Sequence, residues 1–518
     1  MLRTLFMMMA LLLVRPLFAQ QILSPLNPEQ TALVEAYLVR SKEIKPTGFG
    51  PYPVDMDKLD SIYDADTRNW SRRKYKSWVM RKIKNEHLFD VHTTNFNLQG
   101  DVAFNLEGSN EIDAVGRRYY TNTRGYSFSG TVSKRLFFNT SFYETQSIFP
   151  NYMDSVVSER GPVDNAKDPE RGAVPGYGRW KPFNTSASYD YDYTMTSGSF
   201  GVAINKNSFV QFGHDKQFLG YGYRSMLLSD AVSPYPFLRT QLSFWQSKIT
   251  YSTTWAVLQS LDKTTNSGTD VLFRRMGGRF SYLSFDPAHW FSFGVFDGTT
   301  WTWRNNNLPV VEYYNPIAWV YSGTGIRNHI SGFNGQVTLF SMVRFYGQYG
   351  LNHRGGGQTA QVGMKVFGPV RNLVVQVEYN KVGQAFYFSS ADSTGTVFIE
   401  EPLQNGTNAL DYYQHNDQML GHPFGVAMDE MLFKISYRLR DLFVNASLHS
   451  SRLNSVSNPS QISFVKIEGG YVVNPKSNAQ IVAGLIKRNQ TFATGAPMVT
   501  NYPYIAFRTN LFNRYMDF

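Results

Sequence analysis

Apolar and polar residues alternate at every second position over most of this chain, from about residue 92 onward. The clearest runs cover residues 372–380, 431–439, 441–449 and 465–471, the first broken only at Val374. Alternate side chains of a β-strand point to opposite faces, so the pattern predicts strands with one apolar and one polar face. The predicted strands have the ~9–11 residues that a tilted strand needs to cross a bilayer.

The connections between these strands differ strongly in length. Long polar connections rich in Gly, Pro, Asn and Tyr run over roughly 147–182, 214–238, 298–330 and 381–429. Short turns at one rim and long loops at the other are typical of an outer-membrane barrel, whereas a soluble sandwich has more even loops. Tight turns are predicted at five places: Lys134-Arg135, Asp286-Pro287-Ala288, Gly368-Pro369-Val370-Arg371, Leu439-Arg440 and Asn474-Pro475-Lys476.

The parity of bacterial barrels limits the number of strands. About nineteen candidate segments can be counted, but single-chain bacterial barrels have an even number. The least secure stretch is 184–213, where three short candidates can equally form two strands. We therefore predict an all-β, antiparallel outer-membrane barrel of about 16–18 strands over residues 91–518, located in a Gram-negative bacterium.

The first twenty residues have a different character. Arg3 is followed by an apolar block from Leu5 to Val14, and Phe18-Ala19-Gln20 closes the stretch. This order predicts a secretory signal peptide over residues 1–19, cut after Ala19. The alternative is an anchor helix, but about ten apolar residues are too few to span a bilayer. No later stretch offers ~18 consecutive apolar residues, so no transmembrane helix is predicted.

Residues 20–90 lack the period of two and are predicted to form a helical periplasmic region. Asn27-Pro28-Glu29 has the form of a helix start, because Asn caps the first N–H groups and Pro has no N–H to leave unbonded. Residues 70–84 combine apolar residues with seven Arg and Lys residues. Two interpretations stay open: a solvated helix whose rings pack on the rest of the protein, or contact with anionic lipid or a cell-wall polymer.

The end of the sequence supports the barrel independently. Residues Tyr502–Phe518 have a strand-like pattern and end on an aromatic residue. A terminal aromatic residue on the final strand is what the barrel-assembly machinery usually recognises, so this machinery is an expected partner through the C-terminal strand. A fibrous adhesin passenger or a soluble periplasmic β-protein is the remaining structural alternative.

The composition excludes several classes of protein. The 518 residues include 39 Phe, 32 Tyr and 9 Trp, which is far too aromatic for a disordered chain. There is no cysteine, so disulfides, thiolate metal sites and a cysteine nucleophile are excluded. The net charge of +10 suits an acidic polysaccharide or lipopolysaccharide as partner. Nucleic acid is disfavoured, because a concentrated basic stretch with interleaved aromatic residues occurs only at 70–84.

Catalytic and metal motifs are not found. The nine histidines form no H-E-x-x-H pattern, and neither a G-x-S-x-G elbow nor a phosphate-binding glycine loop occurs. His214-Asp215 near Ser225 has the residue types of a hydrolase, and Asp190-x-Asp192 those of a calcium loop, but such short coincidences are common in long chains. We therefore predict no enzymatic activity, no cofactor and no metal.

Residues 209–245 hold the densest concentration of unusual residues. The stretch reads F-V-Q-F-G-H-D-K-Q-F-L-G-Y-G-Y-R-S-M-L-L-S-D from Phe209, followed by P-Y-P-F-L-R from Pro234. A long loop rich in glycine and aromatic residues is expected to fold inward as a constriction. The residues assigned to this constriction are His214, Lys216, Gly222, Tyr223, Arg224 and Asp230.

The same block resembles the RemB-like gliding-motility outer-membrane proteins, a group related to the Wzi-type capsule-assembly barrels. Tyr314-Asn315-Pro316, residues 413–416 and residues 421–425 fit the resemblance, which covers most of 90–518. It implies a monomeric barrel of about eighteen strands with a helical periplasmic element, inward loops closing the pore and a lectin-like anchoring of surface polysaccharide. The resemblance to RemB-like proteins also implies a role in cell-surface motility. No lectin site transfers residue by residue, so the resemblance does not identify the ligand.

Two stretches have the residue types that hold sugars. Aromatic faces stack on sugar C–H groups, and planar polar side chains form paired hydrogen bonds. The first stretch supplies Trp301, Trp303, Arg304 and Asn306, and the second supplies Tyr413 and His415. For the two tryptophans, a place in the interfacial aromatic girdle is an equal alternative.

Three functional classes remain open. The first is a barrel for surface-polysaccharide attachment or motility, with outer-membrane lipid or lipopolysaccharide and surface polysaccharide as partners. The second is a porin or substrate-selective channel, which the inward Lys434, Arg438, Glu378 and Glu468 would suit. The third is an outer-membrane hydrolase, for which a lipid-facing Ser/His pair would be needed. We favour the first, non-catalytic class.

Overall fold

The computed structural model describes residues 21–24, 26–43, 47–55, 75–112, 116, 118–133, 135–159, 173–183, 190–205, 207–263, 273–302, 326–388, 413–455, 458–510 and 512–518. The predicted signal peptide, Trp303, Arg304, Asn306 and the Tyr314-Asn315-Pro316 stretch lie outside these residues.

Eighteen long strands form one closed antiparallel barrel. Each strand pairs with its neighbours in sequence, and the barrel closes where the last strand pairs with the first, with Phe507 opposite Leu106. The strands are β1 (Phe96–Ile112), β2 (Arg118–Val132), β3 (Leu136–Ile148), β4 (Tyr191–Asn205), β5 (Ser208–Asp215), β6 (Tyr235–Phe244), β7 (Ile249–Lys263), β8 (Phe273–Ala288), β9 (Phe291–Thr302), β10 (Ile326–Leu339), β11 (Val343–Asn352), β12 (Gln358–Phe367), β13 (Leu373–Val382), β14 (Met428–Leu439), β15 (Leu442–Leu453), β16 (Ser460–Asn474), β17 (Ala479–Phe492) and β18 (Met498–Thr509). The predicted fold class and strand number are confirmed.

The barrel is apolar outside and polar inside, as the alternation predicts. On β14, Met431 and Phe433 are exposed, whereas Glu430 is buried and Lys434 points into the lumen against Tyr223. The apolar belt continues around the barrel, with exposed members Val102, Leu106, Phe200, Phe212, Phe285, Phe293, Phe333, Leu442 and Ile505. This belt is the surface that lipid covers in a barrel of this kind.

The two rims of the barrel differ, and we call them the short-turn end and the long-loop end. At the short-turn end, Trp245, Trp290 and Phe340 are exposed at or beside the turn tips, which matches an interfacial aromatic girdle. The predicted turns beside Gly368, Leu439 and Asn474 are confirmed. The turn predicted at 286–288 is wrong, because β8 continues to Ala288 and the turn lies at residues 289–290. Asp286 is buried inside the barrel, where its carboxylate accepts hydrogen bonds from Ser284 and Ser292.

The uncertain stretch 184–213 contributes two barrel strands, β4 and β5, over its described part. They pair through a tight turn, with Asn205 opposite Ser208. The lower of the two strand counts considered for this stretch is therefore correct.

Within the residues that the structure describes, three helices and several short strands accompany the barrel. Helix α1 is Pro28–Ser41, α2 is Trp78–Lys84 and α3 is Asn151–Glu159. The predicted start of α1 is confirmed: the Asn27 side chain accepts from the N–H groups of Glu29 and Gln30. No helix in the described part is long and apolar enough to span a bilayer. The short strands are Gln21–Leu23 with Pro53–Asp55, Phe49–Gly50 with Phe218–Leu219, Ala173–Val174 with Gly178–Lys181, Gln414–His415 with Gln418–Met419, and Phe89–His92 beside β1.

The final residues are not a strand as far as Phe518, so that prediction is wrong. Strand β18 ends at Thr509, where the main-chain oxygen of Asn510 accepts from Asn478 and Asn27. Residues 512–518, which we call the tail, then enter the lumen, and Tyr515 and Phe518 are buried there. Assembly through the last strand stays a prediction.

Candidate functional site

Four segments from distant parts of the sequence fill the lumen. They are the N-terminal segment (26–43 and 47–52), the inward loop (216–234), the second loop (383–388 and 413–427) and the tail. The inward loop follows β5 at the long-loop end, and its described residues are almost all buried. The division of the chain at residue 90 stays a prediction, but α1 itself packs against inward-facing barrel residues.

Arg224 is the centre of a buried charge network. Its guanidinium donates to Glu430 on β14, with Nε–Oε2 at 3.3 Å and Nη2–Oε1 at 3.1 Å. It also donates to Asp517 of the tail, with Nη1–Oδ1 at 3.3 Å and Nη2 at 3.0 Å from the main-chain oxygen. Burial alone would lower the pKa of Arg224, but Asp517 and Glu430 outweigh it and hold the pKa well above its ordinary value. The guanidinium therefore stays charged and joins the loop, the wall and the tail.

Glu378 on β13 fixes the backbone of the inward loop. Its Oε2 accepts from the N–H of Tyr223 at 2.8 Å, and its Oε1 accepts from the N–H of Arg224 at 3.1 Å. Tyr346 donates its hydroxyl to the same carboxylate at 2.8 Å. Gly222 has to be a glycine here, because an added Cβ would lie 2.6 Å from Oε2 of Glu378. The backbone at Tyr223 and Arg224 is therefore fixed by hydrogen bonds to a carboxylate of the barrel wall.

The tail closes on the inward loop at a second point. The hydroxyl of Tyr515 donates to Asp230, and burial raises the pKa of Asp230. Lys216 lies nearby, and burial lowers its pKa to about 8, although Asp230 and Asp215 pull in the opposite direction. The tail therefore meets the inward loop where a buried lysine, two carboxylates and a tyrosine hydroxyl lie close together.

Helix α1 closes the short-turn end. Glu35 is buried between Arg344 on β11 and Lys365 on β12, with N–O distances of 3.2 and 2.8 Å. Farther inside, Arg239 on β6 donates to the main-chain oxygens of Pro51 at 2.7 Å and Phe49 at 3.1 Å. Positive side chains of the wall thus hold the N-terminal segment in the lumen.

The second loop packs against the inward loop through tyrosines. Tyr387 donates its hydroxyl to the main-chain oxygen of Met226 at 2.8 Å and accepts from the N–H of His422 at 2.7 Å. Tyr413 donates to the main-chain oxygen of Leu227 at 3.1 Å. His422 itself lies 2.9 Å from Glu430, and burial lowers its pKa. Both loops therefore share one wall carboxylate, Glu430, through His422 and Arg224.

The structure brings together five of the six predicted constriction residues. Lys216, Gly222, Tyr223, Arg224 and Asp230 all lie in the lumen, as part of the inward loop. His214 does not: it is exposed on β5, on the same outward face as Phe212, and its Nδ1 lies 2.9 Å from the main-chain oxygen of Thr196. Alternation along β5 turns its neighbour Asp215 to the other face, and Lys216 lies beyond the end of the strand.

The predicted sugar-binding residues within the described part are buried. The indole of Trp301 covers Gly277 on the neighbouring strand, where an added Cβ would lie 2.2 Å from the ring. Tyr413 stacks on Tyr387 with ring centres 6.2 Å apart. The Nδ1 of His415 accepts from the N–H of Gln259 at 3.2 Å, and its Nε2 lies 3.3 Å from the main-chain oxygen of Pro234. These three side chains hold the structure together and offer no open face to a sugar.

The other candidate constellations do not assemble. Ser225 is buried and donates its hydroxyl to the main-chain oxygen of Leu219 at 2.6 Å, whereas His214 is on the outside. Asp192 lies 3.6 Å from Lys181, and the part of the chain that the structure describes contains no group of three His, Asp or Glu residues arranged to hold a metal.

Four carboxylates organise the lumen, and of these only Glu378 was predicted from the sequence to face inward. They are Glu35, Glu378, Glu430 and Asp517, which lie in four separate places along the chain. The available signal is local: Glu378 and Glu430 are charged residues at inward positions of alternating strands, where a wet lumen also accepts them. Their partners are distant in sequence, so the pattern alone does not pair them.

Among the cavities that the described residues form between the filling segments and the wall, two border Tyr223. One of about 170 Å³ is lined by Glu29, Lys434, Lys466 and Arg508 among others, and the other, of about 100 Å³, by Glu35 and Lys365 among others. Small cavities with some charged side chains in their lining therefore lie at the level of the inward loop.

The fold is similar to that of solved outer-membrane barrels. One of them is Wzi, described as an outer membrane protein involved in group 1 capsule assembly in Escherichia coli and as a carbohydrate-binding β-barrel. It aligns with a TM-score of 0.55 and 12% sequence identity, over 94% of this chain and 98% of that chain. Acinetobacter baumannii OccAB4 aligns with a TM-score of 0.42 and 7% identity, over 80% of this chain and 98% of that one. Pseudomonas aeruginosa OprD aligns with a TM-score of 0.42 and 8% identity, over 83% of this chain and 97% of that one.

The likeness to the Wzi structure shows the fold: the chain is a closed β-barrel of the outer-membrane type. Neither a protein-family profile nor a curated protein sequence matches it.

Proposed function

We propose that this protein is a non-catalytic barrel of a Gram-negative outer membrane that attaches polysaccharide at the cell surface, either for capsule retention or for surface motility. The observation that carries the proposal is the filling of the described part of the lumen by four segments. Four segments are tied to the wall by buried charges, with Arg224 and Glu430 at the centre. An anchor needs a rigid outer face and no through-path, whereas a diffusion channel needs a continuous one.

The fold of the carbohydrate-binding Wzi barrel supports this proposal, and so does the resemblance of residues 209–239 to RemB-like proteins. A net charge of +10 favours an acidic polymer or lipopolysaccharide. Since Trp301, Tyr413 and His415 are buried, we assign the sugar contact to Trp303, Arg304 and Asn306, which follow β9 in the sequence.

Titration calorimetry of the purified barrel in nanodiscs with capsular polysaccharide from the same organism tests the ligand. Trp303→Ala is expected to weaken binding roughly tenfold, the effect of losing about 1.4 kcal/mol. The matched control is Trp290→Ala, because Trp290 is an exposed tryptophan at the short-turn end. Equal effects of the two variants, or no binding by the parent protein, would refute the assignment.

A deletion strain tests the cellular role. Loss of retained capsule or of surface spreading is expected, and a strain unchanged in both would contradict the proposal. The alternative function, a porin or substrate-selective channel, has one observation in its favour, the charged side chains in the lining of the two cavities beside Tyr223. Large stable openings of the purified barrel in a planar bilayer would favour that alternative.

A further inference from the structure

The short helix α2 presents apolar side chains to the outside. None of its residues is buried, and Trp78, Val79 and Ile83 are 60%, 52% and 49% exposed. Val79 and Ile83 are one turn apart and share a face of the helix. The interpretation in which the rings of residues 70–84 pack on the rest of the protein is therefore wrong for Trp78.

Helix α2 is nevertheless fixed in place, against the outer surface at the short-turn end. Asn474, the last residue of β16, donates its amide to the main-chain oxygens of Lys82 at 3.0 Å and Glu86 at 2.9 Å. The Nζ of Lys84 lies 5.5 Å from the ring centre of Tyr471. Tyr471 is paired with Leu442, and both are exposed on the outward face of the barrel. The helix thus borders the apolar belt.

The charge of this segment is one-sided. Residues 75–84 include four basic residues and no acidic one. Glu86, just beyond the helix, lies 3.0 Å from Arg81 and 3.2 Å from Lys82. After α2 the chain continues into the strand Phe89–His92, where Phe89 and Val91 are exposed beside β1. Exposed apolar side chains therefore occur both on the helix and on the strand that follows it beside the barrel wall.

We propose that α2 lies in the headgroup layer of the membrane leaflet at the short-turn end, with Trp78, Val79 and Ile83 in the upper acyl region. Lys76 and Lys84 would contact anionic phospholipid headgroups, whereas Lys82 is held by Glu86. Three features argue for this occupant. The helix continues the lipid-covered belt, its basic charge complements anionic headgroups, and Trp is enriched at such interfaces. Long lysine stems reach the headgroup layer from this depth. The helix would then fix the height and tilt of the barrel in its membrane.

The absence of cysteine makes the test simple, because a single introduced thiol is unique. Full-length protein with Ile83→Cys carries a nitroxide label in nanodiscs of phosphatidylethanolamine and phosphatidylglycerol. Electron paramagnetic resonance compares collisions of the label with oxygen, which partitions into lipid, and with a water-soluble nickel chelate. Phe340→Cys is the lipid control, since Phe340 is 90% exposed at a short turn, and Glu111→Cys is the aqueous control.

The label at position 83 is expected to match the label at 340, with several-fold more oxygen than nickel collisions. It should shift toward the aqueous value when phosphatidylglycerol is left out or when Lys76 and Lys84 are both changed to Gln. A label as accessible to nickel as that at Glu111 would overturn the proposal. Protection from both reagents would also overturn it and indicate packing on protein. Protection only after addition of purified peptidoglycan would overturn it in favour of a wall polymer.

Discussion

Arg224 and Asp517 lie 293 positions apart in the sequence, yet the guanidinium of the first donates to both the side chain and the main chain of the second inside the barrel. The pair joins the inward loop to the tail, and Glu430 of the wall completes it. The inward loop enters the lumen from the long-loop end and the tail enters from the short-turn end. The pair therefore joins segments that come from opposite ends of the barrel.

Removing the charge of Arg224 should destabilise the barrel. Arg224→Met removes the guanidinium that Glu430 and Asp517 share and leaves Glu430 with only Asn380 and histidines nearby. Breaking a buried ion pair in this way costs about 3–5 kcal/mol. Urea unfolding from detergent, followed by intrinsic fluorescence, measures the change. Arg275→Met, at an exposed arginine, should change stability by less than about 0.5 kcal/mol. Adding Glu430→Gln and Asp517→Asn to Arg224→Met should restore part of the loss, and no recovery would count against the charge argument.

Deleting residues 26–52 should open the short-turn end. Glu35 then no longer neutralises Arg344 and Lys365, and Arg239 loses the main-chain oxygens it holds. We expect measurable conductance in a planar bilayer with a preference for anions, because the uncovered groups are positive. The parent barrel and the point variant Glu35→Gln, which keeps the helix, are the controls. A cation-selective or silent deletion variant would show that this segment does not close the end.

The stability of the long-loop end should fall in acid through His415. Burial lowers the pKa of His415 to about 3, whereas the unfolded chain has the ordinary value near 6.5. Protonation at Nδ1 would also place a second N–H against the N–H of Gln259. Between these two values the unfolded state binds the extra proton, so the stability that the neutral ring contributes is complete above pH 6.5 and is lost as the pH falls toward 3.

His415→Leu should remove this dependence. The slope of unfolding free energy against pH should decrease by up to about 1.4 kcal/mol per pH unit between pH 6.5 and 3, relative to the parent protein. Urea titrations at four pH values in this window measure it. Identical slopes for parent and variant would mean that His415 does not titrate on unfolding.

A side chain at Gly277 should displace the indole of Trp301. The added Cβ of Gly277→Ala would lie 2.2 Å from the ring, so the tryptophan has to move or the strands have to part. Overpacking of this kind costs about 1–3 kcal/mol. The thermal unfolding midpoint and the tryptophan emission maximum should both change. Gly108→Ala, where an added Cβ meets nothing within 4 Å, should change neither.

The sequence was sufficient for the barrel because alternation is a local property. The run predicted at 431–439 is strand β14 from Met428 to Leu439, and 465–471 falls within β16. The start of β14 was missed because Asp429 and Glu430 are charged and read as loop. The charge of Glu430 is accepted since it faces the lumen and meets Arg224.

The lumen was only partly predictable. Glycine and aromatic residues marked the inward loop, but nothing local shows that Gly222 is opposite Glu378 or that Tyr515 reaches Asp230. The tail reads as strand because its aromatic residues suit a membrane belt and a buried interior equally well. Trp301 and Tyr413 misled for the same reason, since stacking on a sugar and stacking on a neighbouring residue need the same ring.

The attachment of both loops to Glu430 has a mechanical consequence. A polymer pulled away from the cell would act on the long-loop end, where the inward loop and the second loop begin. The bonds of Arg224 and His422 to Glu430 would transmit this force to β14. The bond between Arg224 and Asp517 would transmit part of it to the tail, which enters from the opposite end. The load is thereby shared around a hydrogen-bonded ring of strands, so no single hairpin has to withstand it.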